Sequence, residues 1–360
     1  MSYLDGLLST AGDDLWRRRL GYDLRAGERF GVSGALCNAR CRALAPLRER
    51  TVPVIVDVHA HYYPQNYLES IGRPDLPPRP AAGLANQSLE ERLELMDRAG
   101  VTAQVLSVSQ AQPYLATAED SAAAATIGND EYAAVVEKYQ GRFYAFGTLP
   151  MTSTDAAIAE VRRVFDDLNF VGVTLGCTVA GKQLDDPSFD PILAELHRRE
   201  AVVFLHPQGE SVPPGFEDFR LNWLIGAPIE DSATALRLIF SGVAEKYSNI
   251  QWIVPHFGGI IPLLHERIRR QTGNKLSALR SMWFDTVAGA GAESFACAAA
   301  TLGADRLLYG TDYPYSPNND EFVERLTYLD GLGLSEDELR EIKGARVARL
   351  LKLDVAKHAR

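Results

Sequence analysis

The stretch that decides the fold is Val54-Ile55-Val56-Asp57-Val58-His59-Ala60-His61, an apolar, β-branched run that ends in two histidines. Pro53 precedes it and Tyr62-Tyr63-Pro64 follows it, so the run is too short for a helix and predicts a buried parallel strand. Side chains two residues apart on a strand point to the same side. His59 and His61 can therefore offer one metal ion a nitrogen each, although two hydrogen-bonded core histidines fit this pattern equally well.

Composition restricts the class of protein. The chain has 360 residues, 46% of them apolar, which is ample for one large α/β domain or two ordinary ones. The net charge is −10, and the charged residues are distributed along the chain rather than grouped in runs of like charge. We therefore expect a small molecule as partner, not nucleic acid or a membrane. Four irregularly spaced cysteines and an amino terminus broken by charged residues predict a reducing, cytoplasmic location without a signal peptide. No apolar stretch approaches the roughly 20 residues of a membrane span.

The amino-terminal part differs from the rest of the chain. Residues 1–52 are rich in arginine and contain no lysine, which predicts an N-terminal extension that packs on the main domain or on a second subunit. A disordered leader is the alternative. The main domain is predicted over residues 53–353. Within it, residues 62–87 carry five prolines, which indicates a loop that covers a site.

Strand-like and helix-like stretches alternate after the first strand. The further strands are predicted at 101–108, 143–149, 171–175, 202–205, 250–254, 282–286 and 306–309. Helices are predicted between them, beginning with a capping box at Ser88-Leu89-Glu90-Glu91 and a stop at Gly100. Eight strands alternating with helices predict a (β/α)8 TIM barrel. A doubly wound open sheet is the alternative, but the turn after the first strand lacks the Gly-rich sequence of a dinucleotide site.

Polar residues gather where the predicted strands end, which is the rim that carries reactive residues in such barrels. His206 follows the fifth strand, His256 the sixth and Asp312 the eighth, in line with His59 and His61 after the first. The other three histidines lie in helix-like stretches and are expected to be surface or packing residues: His197, His265 and His358. Three imidazoles and a carboxylate suit one divalent ion, zinc first and manganese as the alternative. The end of the fourth strand has no lysine to bridge two ions, so one metal is expected.

The order HxH, His-Pro, Pro-His-x-Gly-Gly and Gly-Thr-Asp-Tyr-Pro resembles the amidohydrolase superfamily. More narrowly it is similar to the branch of aminocarboxymuconate-semialdehyde decarboxylase, 6-methylsalicylate decarboxylase and related benzoate decarboxylases. The resemblance covers about Val54 to Leu351. It implies that His256 is a catalytic acid/base close to the metal, and that one divalent metal is bound by four residues: His59, His61, His206 and Asp312. Gln208 departs from the aromatic residue often found after the His-Pro pair, which leaves the substrate open.

The expected activity is non-oxidative decarboxylation of a small hydroxylated aromatic acid, or of a related enol or muconate acid. A bound metal would hold the carboxylate and the neighbouring phenolate oxygen. His256 is the first candidate for the proton donor and Asp312 the second. Two alternatives stay open: a hydrolase that opens a lactone, an amide or a β-diketone C–C bond, and a structural or regulatory metal-binding protein.

Four residues are candidates for substrate binding. Tyr62, Phe257 and Trp223, together with Tyr63, could form the walls of an aromatic pocket, or merely fill the mouth of the barrel. Arg267 matches an arginine that, by the resemblance, reaches across a dimer interface to the substrate carboxylate of the neighbouring subunit. A guanidinium suits that task because it can grip a carboxylate with two hydrogen bonds. The alternative is that Arg267 is a solvated arginine on a helix. If Arg267 instead serves the neighbouring subunit, the protein is a homodimer or a higher homo-oligomer.

Overall fold

This computed structural model describes residues 54–74, 88–209, 214–287, 291–315 and 319–354. The chain divides into the units Met1–Arg50 and Thr51–Arg360, and every described residue belongs to the second. The predicted extension over residues 1–52 therefore lies outside the described residues. Among the described helices, none is both long and apolar enough to cross a membrane.

Eight parallel strands form one sheet in the order β1-β2-β3-β4-β7-β8-β9-β10, which confirms the predicted barrel. The strands are β1 Val56–His61, β2 Ala103–Ser107, β3 Phe143–Thr148, β4 Gly172–Gly176, β7 Val202–His206, β8 Gln251–Val254, β9 Trp283–Asp285 and β10 Leu307–Leu308. A small antiparallel ribbon, β5 Thr178–Val179 with β6 Lys182–Gln183, follows β4. The sequence did not predict the ribbon, because two-residue strands carry no periodic signal.

The sheet closes between its first strand and the segment after its last. The Val58 amide donates to the Tyr309 carbonyl at 3.0 Å, and Ala60 pairs with Tyr313 in a parallel bridge. The amide of His61 donates to the Tyr313 carbonyl at 2.6 Å. These bonds bring the end of β1 beside the residues that follow β10, at one rim of the barrel.

Helices connect the strands in the order expected of this fold. They are α1 Gln65–Ser70, α2 Leu89–Ala99, α3 Ala118–Lys138, α4 Thr154–Arg162, α5 Asp190–Arg198, α6 Ala227–Phe240, α7 Val243–Lys246, α8 Ile261–Thr272, α9 Ala292–Ala298, α10 Asn319–Thr327, α11 Glu336–Arg340 and α12 Arg346–Leu350. Ser88 caps α2 with the predicted box, and Gly100 ends it in a left-handed conformation at φ 75°. Helix α6 has Pro228 in its first turn, where the missing N–H costs little.

The region predicted as a loop over residues 62–87 contains a helix, which corrects that prediction. Helix α1 starts directly after Pro64, and its residues Tyr67 and Leu68 are buried. The Tyr67 ring lies so close to Gly128 on α3 that a Cβ there would be 2.7 Å from it. The prolines lie on either side of this helix and do not prevent it from forming. Packing of its two apolar side chains stabilises the short helix. Residues 75–87 lie outside the described residues.

An apolar layer lies beneath the rim where β1 and β7 end. Phe204, two residues before the end of β7, places its ring 4.9 Å from that of His59 and stacks on Phe146 at 5.5 Å. Both phenylalanines are fully buried. The histidines of the rim therefore rest on a packed floor, which limits the positions that their rings can adopt.

Candidate metal centre and active site

Four side chains meet at the rim, and their ligand atoms all lie within 4.8 Å of one another. His59 and His61 come from β1, His206 ends β7, and Asp312 follows β10. The Nε2 atoms of His59 and His61 are 3.1 Å apart, and Oδ1 of Asp312 lies 3.2 Å and 2.8 Å from them. The structure thus brings together the four residues predicted as metal ligands. We call them the ligand cluster.

Each histidine of the ligand cluster has its Nδ1 atom engaged by another protein group. Nδ1 of His59 lies 2.6 Å from the Asp285 carboxylate, and Nδ1 of His61 lies 3.1 Å from the Ser107 hydroxyl. Nδ1 of His206 donates to the carbonyl of Pro207 at 2.7 Å. Such partners orient a ring and leave Nε2 for a metal, which is the usual arrangement around metal-binding histidines.

The hydrogen bonding of His206 shows whether the ligand cluster suits a cation. A carbonyl can only accept, so Nδ1 of His206 carries the proton and Nε2 holds a lone pair. That Nε2 atom is buried and, among the described residues, has no hydrogen-bond partner. Burial and the neighbouring His61 and His59 hold the pKa of His206 well below its usual value, so the ring stays neutral. A buried neutral imidazole with an unpaired acceptor fits a metal ligand.

A backbone hydrogen bond to β1 holds Asp312 in position. It adopts a left-handed conformation at φ 60°, and its amide donates to the carbonyl of His59 at 2.8 Å. Burial opposes ionisation, but the hydrogen bonds and charges of His59 and His61 outweigh it and hold the pKa of Asp312 well below its usual value. Its carboxylate is therefore an anion beside the three imidazoles, which is the form that binds a metal.

A buried polar network fixes the two segments that carry these ligands. Asp57 accepts hydrogen bonds from the amides of His59 and Thr311 at 3.2 Å and 3.0 Å, so one carboxylate holds both segments. Gln104 donates to Asp57 at 2.8 Å and accepts from Nε of the buried Arg92 at 2.6 Å. Nη1 of Arg92 in turn donates to the His61 carbonyl at 2.7 Å. None of these groups was singled out from the sequence.

His256 lies beside the ligand cluster, with its ring centroid 5.3 Å from that of His59 and 5.9 Å from that of His206. Its backbone is left-handed at φ 53°, and its amide donates to Oδ1 of Asp285 at 2.8 Å. Nδ1 of His256 lies 2.8 Å from Oδ2 of Asp231, and in the described part of the chain Nε2 has no hydrogen-bond partner. The free nitrogen is therefore the one available to a substrate.

Asp231 is a site residue that sequence reasoning missed. Its side chain is fully buried in helix α6, where a carboxylate has no pattern that marks it as functional. Burial raises the pKa of Asp231 to about 6, against the opposing charge of His256. Burial lowers the pKa of His256, but the charge and hydrogen bond of Asp231 outweigh it and leave that pKa raised. Asp285, at the end of β9, was also missed, although its position at a strand end could have revealed it.

Tyr62 and Tyr63, both predicted to line an aromatic pocket, place their rings in different surroundings. Tyr62 packs against Tyr132 at a ring distance of 6.2 Å, toward the helices. Tyr63 instead lies 6.1 Å from the His61 ring, and its hydroxyl hydrogen-bonds with those of Ser109 and Tyr315 at 2.9 Å each. Successive residues point in opposite directions along an extended chain, so only one tyrosine of the pair lies beside the ligand cluster.

The remaining substrate-binding candidates lie in three different places. Phe257 is 3% exposed and packs edge-on against Phe295 of α9, which is a core contact. Trp223 lies against Gly209, three residues beyond His206, so it is at the rim. Arg267 is exposed on α8. The roles predicted for them in substrate binding stay predictions.

A family model described as "Amidohydrolase" matches residues 56–353 of the chain. A 2-amino-3-carboxymuconate-6-semialdehyde decarboxylase of Dictyostelium discoideum is 31% identical over 237 residues, which cover 62% of this chain and 66% of that protein, just under two thirds of it. A 6-methylsalicylic acid decarboxylase of Aspergillus aculeatus is 29% identical over 318 residues, which cover 79% of this chain and 93% of that protein.

A solved structure shares the fold. It is a dihydroxybenzoic acid decarboxylase from a Polaromonas species with bound manganese and the inhibitor 2-nitroresorcinol. The superposition has a TM-score of 0.72 and covers 85% of this chain and 98% of that one, at 22% sequence identity. At this identity the likeness concerns the architecture, and the chemistry of the present site rests on its own residues.

Proposed function

The chain belongs to the amidohydrolase family, and we propose that it is a metal-dependent, non-oxidative decarboxylase of a small hydroxylated aromatic acid or of a related enol or muconate acid. The observation that carries this proposal is the ligand cluster beside His256, a histidine that the buried Asp231 carboxylate orients. Within the cluster, the buried Nε2 of His206 has no hydrogen-bond partner among the described residues. The activities named for the two relatives, decarboxylation of an aminocarboxymuconate semialdehyde and of 6-methylsalicylic acid, support it.

We assign His59, His61, His206 and Asp312 as ligands of one divalent ion. Zinc is our first choice because three imidazoles and one carboxylate suit it, and manganese is the alternative. The manganese bound in the structurally similar dihydroxybenzoate decarboxylase supports that alternative. A divalent ion held there supplies positive charge for the carboxylate and the neighbouring phenolate oxygen of the substrate. Metal analysis of the purified protein decides between the two ions.

His256 is assigned as the general acid. Asp231 accepts the Nδ1 hydrogen, which orients the ring and leaves Nε2 to carry a proton toward the substrate. The proton adds to the ring carbon that bears the carboxylate, and this step interrupts the aromatic system. The bond between that carbon and the carboxylate then breaks, its electron pair restores the ring, and carbon dioxide leaves.

Asp312 is the second candidate for proton transfer. Its Oδ1 atom already contacts Nε2 of both His59 and His61, and these contacts stabilise the ionised carboxylate. An acid that stays ionised is a poor donor, so we assign His256 as the donor and Asp312 as a ligand.

The decisive experiment separates loss of carbon dioxide from attack by water. The metal-loaded protein is incubated with salicylate-like acids and with lactones in water labelled with heavy oxygen. Release of carbon dioxide or bicarbonate, with loss of the substrate carboxylate, is the expected result. Labelled oxygen in an organic product, without release of carbon dioxide, would show a hydrolase instead.

We further propose a homodimer or a higher homo-oligomer in the cytoplasm. The exposed position of Arg267 on α8 leaves its guanidinium accessible to a second subunit. Among the described residues, Cys177 and Cys297 are free thiols, which agrees with a reducing compartment. Size-exclusion chromatography with light scattering measures the oligomeric state directly.

A further inference from the structure

Helix α6 buries three consecutive polar side chains beside the rim of the barrel. They are Glu230, Asp231 and Ser232, and their exposed fractions are 3%, 0% and 4%. Asp231 accepts from the ring of His256. A buried polar group requires hydrogen-bond partners. Those of Glu230 and Ser232 include backbone groups of the loops that follow β7 and β8, so all three side chains of the helix bear on the site.

Glu230 holds the loop that follows the assigned metal ligand His206. One carboxylate oxygen, Oε2, accepts hydrogen bonds from the amides of Gln208 and Gly209, both at 2.8 Å. These two residues directly follow Pro207, whose carbonyl accepts from Nδ1 of His206 at 2.7 Å. A shift of this loop would therefore move the group that orients the His206 ring. Glu230 thus acts on a metal ligand through the backbone.

His256 lies in a turn whose backbone conformation is unfavourable. The four residues His256, Phe257, Gly258 and Gly259 all have positive φ angles, of 53°, 55°, 74° and 66°. A left-handed conformation brings Cβ of an L-residue too close to the following carbonyl oxygen, so His256 and Phe257 adopt it only where their surroundings hold them there. Asp285 holds the start of the turn, since it accepts from the His256 amide at 2.8 Å. The contact at the end of the turn comes from α6.

Ser232 binds the end of this turn. Its Oγ atom accepts a hydrogen bond from the amide of Ile260 at 2.8 Å. Its own hydrogen can be donated to the carbonyl of Gly258 at 3.1 Å or to that of Pro228 at 2.7 Å. The approach is close, because a Cβ on Gly259 would lie 2.4 Å from Oγ of Ser232 and 2.0 Å from the Pro228 carbonyl oxygen. The turn therefore lies directly against α6, and the Ser232 hydroxyl fixes its end.

We propose that Glu230 and Ser232 are positioning residues, and that the first two turns of α6 set the position of the proton donor relative to the metal ligands. Glu230 fixes the loop after His206, and Ser232 fixes the turn that carries His256. Because both side chains belong to one helix, the two loops keep a constant separation. The part of this inference that concerns proton transfer rests on the proposed decarboxylase function.

Amide hydrogen exchange in the full chain measures each contact independently of the reaction. Ser232→Ala should speed exchange at the Ile260 amide about tenfold, because it removes the acceptor, and leave Gln208 and Gly209 unchanged. Glu230→Gln should speed exchange at Gln208 and Gly209 about tenfold and leave Ile260 unchanged, because an amide oxygen is a weaker acceptor than a carboxylate. Both replacements are nearly isosteric, so the fold is retained.

Two functional measurements accompany the exchange. Ser232→Ala should lower kcat about tenfold with little change in KM or metal affinity, because a displaced proton donor is felt in the transition state. Glu230→Gln should instead weaken metal binding about tenfold, measured by competition with a chelator. The matched controls are Ser241→Ala, exposed at the carboxyl end of the same helix, and Glu245→Gln, exposed on α7. Both controls should leave exchange, kcat and metal affinity unchanged.

Three results would overturn the proposal. One is exchange in Ser232→Ala and Glu230→Gln equal to that in the controls. Another is faster exchange at both loops in each variant, as a general loosening of α6 would produce. The third is the expected exchange pattern with normal kcat and normal metal affinity. If the wild-type protein releases no carbon dioxide from any acid, but exchange and metal affinity change as expected, the positioning by α6 stands and the assigned reaction is wrong.

Discussion

The imidazole Nδ1 of His256 lies 2.8 Å from Oδ2 of Asp231, a carboxylate that is fully buried, while the His256 side chain is 19% exposed. The two residues come from different elements, since Asp231 is in α6 and His256 follows β8. Oδ1 of the same carboxylate lies 3.7 Å from the Cys177 thiol. One carboxylate thus fixes the ring that stands beside the ligand cluster.

Asp231→Asn should lower kcat about 10- to 100-fold and change KM little, because it removes a charged hydrogen bond that orients the proton donor without touching the substrate. Metal content should stay at the wild-type level. Steady-state kinetics with elemental analysis is the measurement, and Asp155→Asn, an exposed residue of α4, is the matched control. If the Asp231→Asn and control proteins have equal kcat, Asp231 does not position His256.

The variants His256→Asn and Asp312→Ala should distinguish the role of general acid from the role of metal ligand. We expect His256→Asn to keep its metal and lose turnover by about 10²- to 10⁴-fold, the usual contribution of a general acid. Asp312→Ala should lose both, since it removes a ligand that is present in the resting enzyme. A His256→Asn protein that purifies without metal would make His256 a ligand instead.

His59→Ala should bind the metal about 100-fold more weakly or worse, because it removes one ligand and also frees the Asp285 carboxylate that orients it. The fold should persist, since a barrel is stabilised mainly by its layered core. Metal titration with a chelator as competitor gives the affinity. His265→Ala, in α8, is the control and should bind metal normally; equal affinity of the two variants would contradict the site.

Gly310→Ala should weaken metal binding without unfolding the protein. A Cβ at this position would lie 2.8 Å from Cβ of His59 and 3.3 Å from that of Asp285, so the ligand and its partner must shift. Gly331→Ala is the control, because no atom lies within 4 Å of its Cβ. Competition with a chelator should show weaker metal binding in Gly310→Ala and unchanged metal binding in Gly331→Ala. A normal affinity in Gly310→Ala would mean that the ligand His59 tolerates displacement.

Arg92→Met should destabilise the protein by about 3 kcal/mol, since it removes two charged hydrogen bonds and leaves buried acceptors unpaired. The lost partners are Oε1 of Gln104 and the carbonyl of His61. The ring of Tyr313, 4.1 Å below the guanidinium, also loses its cation–π contact. Urea unfolding is the measurement, with the exposed Arg98→Met as control. An equal midpoint in both variants would show that this network does not support the rim.

Arg267→Ala tests the proposed oligomeric site. If Arg267 serves the neighbouring subunit, inactive Arg267→Ala and inactive His256→Asn proteins should regain part of the activity when they exchange subunits, because mixed dimers contain one intact site. Activity after mixing is the readout, and mass spectrometry confirms the exchange. A fully active Arg267→Ala protein, or exchanged mixtures that stay inactive, would remove Arg267 from the site.

The sequence was sufficient for the strands and for the members of the ligand cluster. Strand boundaries came within about two residues of those in the structure, since buried parallel strands such as 202–205 are short continuous apolar runs. His59, His61, His206 and Asp312 could be singled out because each lies at the end of such a run or within four residues after it. Where apolar periodicity is weak, as over 65–70 and 178–183, the sequence predicted no regular structure and the chain has it.

By itself, then, the sequence determined the barrel, the rim that carries the chemistry and the four residues that meet there, because strand order and strand ends are local features of the chain. Only the tertiary structure decided which groups orient them. Asp231 is 25 residues from His256, and Asp285 is 226 residues from His59. Nη1 of Arg73 donates to the carbonyl of Gln110, 37 residues away along the chain. Hydrogen bonds of this kind depend on distances of a few ångströms between distant segments, and no periodicity in the chain encodes them.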